Sequence, residues 1–305
     1  MVELPGPVEE YLSWLAVERG RAVNTISSYR RDLVAYLEFL AARDVTLEQV
    51  KEGLLHDYVA FQRAASRAPA SVARAMAAVR SLHQFLVDEG VASVDPTAEV
   101  ATPRVPSGLP KALSEAEVNA LLGAVVGLDT VARRDRSILE VLYGTGMRIS
   151  ELCGLSLSDI DLTESIARVF GKGSKERIVP IGRHARQALQ SWLDTGGRPT
   201  MAPQRWARRG DAEAIFLNQR GGRLSRQGAW LVVRRYGEAV GLGDRLSPHV
   251  LRHCCATHML DHGADIRSVQ ELLGHASLTT TQVYTKVSGD RLRVVYDAAH
   301  PRARL

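Results

Sequence analysis

The sequence predicts a mainly helical (α+β) protein in two domains, a helical bundle followed by a mixed helical domain with a small antiparallel sheet. Three observations support this. The 305 residues suit two domains of about 100–200 residues each. Apolar residues recur at helical spacing through the first hundred residues, and one pair of alternating segments flanks a short glycine-containing turn. With 24% charged and 45% hydrophobic residues, a disordered chain, a coiled-coil rod and a disulfide-knot protein are excluded.

Four helices are predicted in the first hundred residues. Pro5 opens the first, and Asn24-Thr25 caps the second. The third covers Leu54–Ala64, and the fourth begins at Pro69 and ends at Gly90. Short connections between them indicate a compact bundle.

Residues 94–112 contain four prolines, which break any regular element and are typical of an extended linker. The predicted organisation is therefore a first domain over 1–102, a linker over 103–111 and a second domain over 112–305.

The second domain begins with a capping box formed by Ser114 and Glu117, and helices are predicted over 114–125 and 131–143. The alternating segments 166–170 and 177–181 predict a β-hairpin, and 215–217 a further short strand. Helices are predicted again from 225 onward. Residues 290–299 are amphipathic and suit packing either on their own domain or on a neighbouring subunit.

The charge balance is slightly basic. Lys and Arg number 39 against 34 Asp and Glu, a net charge of +5 that permits a polyanionic partner. Basic residues gather in both domains, where they suit either a solvated surface or a clamp around a phosphate backbone. The candidate contacts to a nucleic-acid backbone are Tyr29, Arg30, Arg31, Arg74, Arg80, Arg220, Arg223 and Arg226.

The odd count of three cysteines, the missing leader pattern and the lack of a long apolar run predict a cytoplasmic protein without membrane contact.

Two short motifs suit an anion. Arg148 follows a Gly-Thr-Gly turn at the start of a helix, where the helix N-terminus and the guanidinium both favour a phosphate; a surface ion pair with Glu151 is the alternative. Lys172 lies in the hairpin turn between two glycines, where it is either solvated or a proton donor to a leaving oxygen.

The densest motif is SPHVLRHCCATH. Ser247 caps a helix whose first turns carry His249 and Arg252 on one face, an arrangement that suits a phosphoryl oxygen. Neighbouring histidines and cysteines could instead bind a metal, but the spacing fits no zinc motif, so no metal or other cofactor is predicted. Downstream, His275 follows the helix-ending Gly274, and Tyr284 is either a packed side chain or a nucleophile.

Arg148 in TGMRISEL, Lys172 in GKGSKER, HVLRH, LGHAS and Tyr284 in TTTQVYT together resemble the tyrosine recombinase (phage integrase) family. The resemblance spans essentially the whole chain. FLNQRGGRLSRQG and the ending AHPRA resemble the Xer type, and SPHVLRH with HGAD favours its XerD branch. Cys254-Cys255 departs from the Ser/Ala-Phe pair usual in the family.

The resemblance implies a core-binding, SAM-like first domain and a catalytic second domain. Tyr284 would attack DNA and form a 3′-phosphotyrosine, Arg148 and Arg252 would hold the phosphate, and Lys172 would act as general acid. His249 would act as general base, and His275 would bond the phosphate. It also implies a tetrameric synapse on double-stranded DNA, a second, XerC-like recombinase, an FtsK-type DNA translocase and resolution of chromosome dimers.

Alternatives with the same chemistry are a type IB topoisomerase-like enzyme and a mobile-element integrase. A DNA-binding architectural protein with a dead site and a zinc-dependent hydrolase are alternatives from other classes.

Overall fold

A computed structural model describes residues 4–101, 112–171, 176–274 and 286–303. The chain divides into two compact units, residues 1–108 and 109–305, and the division falls within the stretch expected to be a linker. The predicted class, mainly helical with a small sheet, is confirmed. Within the described ranges, every helix is too short or too polar to cross a membrane.

The first unit is a bundle of helices around an aromatic core. Its helices are α1 (Gly6–Val17), α2 (Val23–Ala41), α3 (Glu52–Ala64) and α4 (Pro69–Asp88). Tyr36 and Tyr58 are fully buried, and the Tyr36 hydroxyl lies 2.9 Å from Nε2 of His83. The predicted Asn24-Thr25 cap is wrong. The carbonyl of Ala22 accepts from the N–H groups of residues 25 and 26, so Ala22 is the N-cap and α2 begins at Val23, without a side-chain cap.

The second unit holds the remaining elements. They are α5 (Glu115–Gly123), α6 (Thr130–Thr145), α7 (Ile149–Gly154), β1 (Ile160–Asp161), β2 (Ile166–Phe170), β3 (Glu176–Pro180), α8 (Arg183–Leu193), α9 (Arg198–Met201), α10 (Arg226–Ala239), α11 (Pro248–Asp261), α12 (Ile266–Leu273) and α13 (Lys286–Ala299). The capping box at the start of α5 is confirmed, since Ser114 and Glu117 bond each other's backbone N–H groups.

The sheet of the second unit is antiparallel in the order β1-β2-β3, and Val169 of β2 lies opposite Arg177 of β3. The predicted hairpin is thereby confirmed. The predicted strand at 215–217 is wrong, because this segment pairs only through an isolated bridge between Leu217 and Arg223. Its residue Ile215 donates instead to the Leu155 carbonyl at 3.1 Å. Ile215 and Leu155 are distant in sequence, so local alternation does not reveal their pairing.

The core of the second unit surrounds α6, whose last nine residues, 137–145, are all buried. Helices α8 and α11 pack against α6. The described end of α13 also packs here, where the buried Tyr296 donates to the Gly144 carbonyl at 2.7 Å. In this chain the amphipathic C-terminal segment therefore covers its own unit.

Candidate active site

Arg148 lies where α6 gives way to α7. Helix α6 ends at Thr145, and its C-cap is Gly146, whose φ of +59° is left-handed and favours glycine. Arg148 is the N-cap of α7, and its backbone N–H donates to Oε2 of Glu151 at 2.7 Å. Its side chain stays 38% exposed. The predicted placement of Arg148 at a helix start is therefore confirmed.

Gly146 also allows a close approach between helices. A Cβ atom at this position would lie 2.7 Å from Cδ2 of Leu273 and 3.0 Å from Sγ of Cys255. Both distances are well below ordinary van der Waals contact, which is about 3.5–4.0 Å between carbon atoms. The turn before Arg148 thus packs directly on α11 and on the end of α12.

Arg252 projects from α11 into this junction. Ser247 caps α11 by accepting from Val250 N, and Pro248 is the first helical residue, as predicted. The terminal nitrogens of Arg252 donate to the carbonyls of Gly146, at 2.7 Å, and Leu273, at 2.5 Å. Burial and the nearby charge of Arg148 lower the pKa of Arg252 to about 10, so it remains a cation at neutral pH.

A buried carboxylate, Glu151, joins Arg148 to a third arginine, Arg177 of β3. Oε1 of Glu151 accepts from one terminal nitrogen of each arginine, at 2.9 Å in both cases. Oε2 accepts from the second terminal nitrogen of Arg177 at 2.8 Å. Burial raises the pKa of Glu151, but the hydrogen bonds from Arg177 and Arg148 outweigh it and hold the pKa below its usual value.

The C-terminus of α12 completes the junction. The last carbonyls of a helix lack partners within the helix and carry partial negative charge. Here Leu272 O accepts from Nε of Arg177 at 3.0 Å, and Leu273 O accepts from Arg252. Gly274 then ends the helix with a φ of +67°, as predicted. Two buried arginines therefore hold the backbone that leads into residue 275.

These contacts bring together two of the six predicted catalytic side chains, Arg148 and Arg252. His249 lies one turn before Arg252 on α11 and is exposed. Lys172, His275 and Tyr284 lie outside the described residues. The cluster of three arginines and one carboxylate leaves an excess of two positive charges, which suits a phosphate whose negative charge grows during reaction.

The sequence did not predict a role for Arg177, and Glu151 was expected only as a surface partner of Arg148. Both side chains are buried, with Arg177 7% exposed and Glu151 6%. A usable signal existed for Arg177, because strand alternation places it on the same face as the buried Val179. For Glu151 the helical pattern of a six-residue helix carries no such information.

Histidine and cysteine side chains of α11 form hydrogen bonds and packing contacts inside the second unit. Cys254 Sγ accepts from Leu113 N at 3.2 Å, and the ring nitrogens of His258 lie 2.9 Å from the Tyr143 hydroxyl and 2.8 Å from Leu113 O. Burial raises the pKa of the Cys255 thiol to about 12. Among the described residues, His, Cys, Asp and Glu side chains form no group of three arranged to hold a metal. Cys254 and His258 thus anchor the start of the second unit.

The candidate DNA contacts in the first unit differ in how they are held. Arg30 forms two hydrogen bonds to Glu9, at 2.6 and 2.5 Å, and Arg74 forms two to the buried Asp32, at 2.8 and 3.0 Å. Arg80 donates to Val100 O at 2.7 Å. Arg31 is exposed and bonds only within its own helix turn, while Tyr29 is half-buried against the core.

In the second unit, Arg220 and Arg226 are exposed, but Arg223 is used inside the protein. Its Nη1 lies within 3.1 Å of the carbonyls of Cys153, Gly154 and Leu155, at the end of α7. Its Nη2 reaches the Ser156 hydroxyl at 3.1 Å and Gly210 O at 3.2 Å. These contacts give Arg223 a structural role, which the sequence did not predict.

Each of the two units matches a separate family model. The model of the Phage integrase family matches residues 111–291, and that of the phage integrase N-terminal SAM-like domain matches residues 8–90. The chain is 47% identical over 310 residues to tyrosine recombinase XerD of Mycobacterium tuberculosis, covering 97% of this chain and 98% of that protein. It is 45% identical to tyrosine recombinase XerD of Halalkalibacterium halodurans, again covering 97% and 98%.

The fold is also similar to that of the Tn1549 transposon integrase in complex with circular intermediate DNA. The TM-score is 0.69 at 20% identity, covering 93% of this chain and 98% of that one. The chain therefore belongs to the phage integrase family. Within that family it is a site-specific recombinase of the tyrosine type and the Xer group, which confirms the resemblance seen in its motifs.

Proposed function

We propose that this recombinase cuts and rejoins double-stranded DNA through a 3′-phosphotyrosine on Tyr284 and thereby resolves chromosome dimers. The observation that carries the proposal is the junction of Arg148 and Arg252, two cations held where α6, α7, α11 and α12 meet. Its curated relatives bear the name tyrosine recombinase XerD, which supports the chromosomal role. The domains we assign are residues 1–102, a linker over 103–111 and residues 112–305.

In the proposed cleavage step the phenolic oxygen of Tyr284 attacks the scissile phosphorus. A bond forms between this oxygen and phosphorus as the bond to the 5′-oxygen breaks. The proton of Tyr284 passes to His249, and Lys172 gives a proton to the leaving 5′-oxygen. The product is a 3′-phosphotyrosine and a free 5′-hydroxyl. Attack by the 5′-hydroxyl of another strand reverses these steps and exchanges the strands.

Arg148 and Arg252 stabilise the charge that develops on the non-bridging oxygens, and His275 adds a hydrogen bond. Two of the five N–H donors of Arg252 already bond backbone carbonyls. The guanidinium is therefore fixed before DNA binds, and little reorganisation is needed during reaction. This fixed orientation supports a role in chemistry beyond general attraction for DNA.

The remaining basic side chains form the proposed DNA surface in two groups. Arg31, Arg220 and Arg226 are exposed and reach phosphates directly. Arg30 and Arg74 are held by carboxylates, so each must share or leave its partner to bind DNA. Neutralising phosphates releases counterions, so we expect binding to weaken steeply with salt.

We further propose a tetrameric synapse that contains a second, XerC-like recombinase and responds to an FtsK-type DNA translocase. The lambda integrase has been solved as a tetramer bound to a Holliday junction, and the present chain shares its fold, with a TM-score of 0.66. We place the protein in the cytoplasm, where chromosomal DNA and a reducing milieu suit its three free, buried cysteines.

The test is covalent trapping on a nicked suicide substrate of chromosome-terminus DNA, with and without the second Xer-like protein. We expect Tyr284→Phe to bind this DNA and form no covalent adduct, because the attacking oxygen is missing. Tyr296→Phe is the matched control, since it removes a buried hydroxyl of the same unit and should still form the adduct. An adduct with Tyr284→Phe would overturn the assignment of the nucleophile, and none with wild type would overturn the proposed function.

A further inference from the structure

We infer that Arg177 is a positioning residue, which sets the orientation of Arg148 and of the backbone before residue 275 without touching DNA. The inference rests on the proposed function, in which Arg148 binds the scissile phosphate. All three nitrogens of the Arg177 guanidinium donate inside the protein, two to Glu151 and one to Leu272 O. Three of its five N–H donors are thus bonded inside the protein, and the side chain is only 8% exposed, so Arg177 is enclosed by its partners.

Arg177 joins three elements that each lead to a different part of the site. It is the second residue of β3 and follows Lys172 closely in the sequence. Through Glu151 it contacts α7, which begins at Arg148. Through Leu272 it contacts the end of α12, which precedes His275. No other described side chain bonds both Glu151 and Leu272 O.

The geometry requires the forked shape of arginine. The two terminal nitrogens bond both oxygens of one carboxylate, while Nε points the other way to a carbonyl. A lysine has one nitrogen and cannot reach both partners in this arrangement. The backbone is fitted to the side chain as well, because a Cβ at Gly274 would lie 3.1 Å from Cδ of Arg177.

Charge explains how Arg177 acts on Arg148. The Glu151 carboxylate accepts four hydrogen bonds, two from Arg148 and two from Arg177. Its negative charge is therefore shared between the two guanidinium groups. Without Arg177, the buried carboxylate has Arg148 as its only ionic partner among these residues and holds it more tightly. Arg148 is then drawn away from the phosphate. A displacement of about 1 Å in a reacting group can cost about 10²-fold in rate.

The test measures single-turnover cleavage and DNA affinity in the full chain on the same suicide substrate. We expect Arg177→Met to lower the cleavage rate about 10²-fold with DNA affinity unchanged, and Arg177→Lys to restore only part of the rate. The double variant Arg177→Met/Glu151→Gln should be no slower than Arg177→Met alone, because both changes act on Arg148 through one carboxylate.

Arg198→Met is the matched control. Arg198 is 9% exposed against 7% for Arg177 and likewise donates to backbone carbonyls, those of Ala214 and Ala212, but it has no contact with Arg148. Both variants should melt at lower temperatures, yet folded Arg198→Met should cleave at the wild-type rate. Equal losses in both variants, equal losses of binding and cleavage, or additive losses in the double variant would overturn the inference. Absence of cleavage by wild type would count against the proposed function instead.

Discussion

Replacing Gly146 with alanine should destabilise the second unit by about 2–5 kcal/mol. Two terms contribute, and both follow from the structure. The left-handed φ of +59° costs a non-glycine residue about 1–2 kcal/mol. The new Cβ would lie 2.7 Å from Leu273 and 3.0 Å from Cys255, and such overpacking costs about 1–3 kcal/mol. For a unit of this size each kcal/mol lowers Tm by about 2–4 °C, which calorimetry on the full chain measures.

Gly241→Ala is the matched control, because Gly241 also follows a helix with a left-handed φ, +72°, but a Cβ there would meet nothing within 4 Å. Gly241→Ala should be destabilised only by the left-handed backbone conformation, which costs about 1–2 kcal/mol. Since Gly146 O accepts from Arg252, the Gly146 variant should also cleave DNA more slowly, whereas the Gly241 variant should not. Equal destabilisation in the two variants would refute the packing argument.

Two further predictions concern single side chains. Arg223→Ala should lower Tm and leave DNA affinity nearly unchanged, because its donors bond backbone carbonyls. Arg220→Ala should leave Tm unchanged and reduce the slope of log affinity against log salt by about one. Calorimetry measures Tm, and filter binding at several salt concentrations measures affinity. Burial lowers the pKa of His83 to about 4. Between about pH 6.5 and pH 4 the unfolded chain therefore binds more protons at this histidine than the folded chain does, and the free energy of unfolding falls as the pH drops through this range. His83→Leu should flatten this part of a Tm profile, and an unchanged slope would contradict the assignment.

The sequence predicted those parts of the fold that depend on local rules. Ser114 with Glu117 and Ser247 with Pro248 are capping patterns that act within one helical turn, and the hairpin depends on alternation around one turn. It failed where the partner is distant along the chain. Ile215, for example, donates to Leu155, far back along the chain. The sequence also failed for β1 and for the bridge between Leu217 and Arg223, because a two-residue strand and a single bridge are too short to show alternation.

The same distinction applies to the site. Arg148 and Arg252 were found because each lies at a helix start within a recognisable motif. Arg177 was missed because its role depends on Glu151, 26 residues away, and on Leu272, 95 residues away. A charged residue on the buried face of a strand is an unusual pattern, and it indicates that a buried counter-charge must exist.

The three arginines of the junction carry the same guanidinium group, but their roles differ because their N–H donors point to different partners. Arg148 uses its backbone N–H and one terminal nitrogen within the protein and keeps an exposed surface. Arg252 bonds two carbonyls and retains three N–H donors. Arg177 directs all three nitrogens inward. Arg177 and Arg252 are similarly buried, at 7% and 8% exposed, but Arg177 has more of its donors bonded and is the one that shares a carboxylate with Arg148. Arg148, the most exposed of the three, has the most freedom to meet a phosphate.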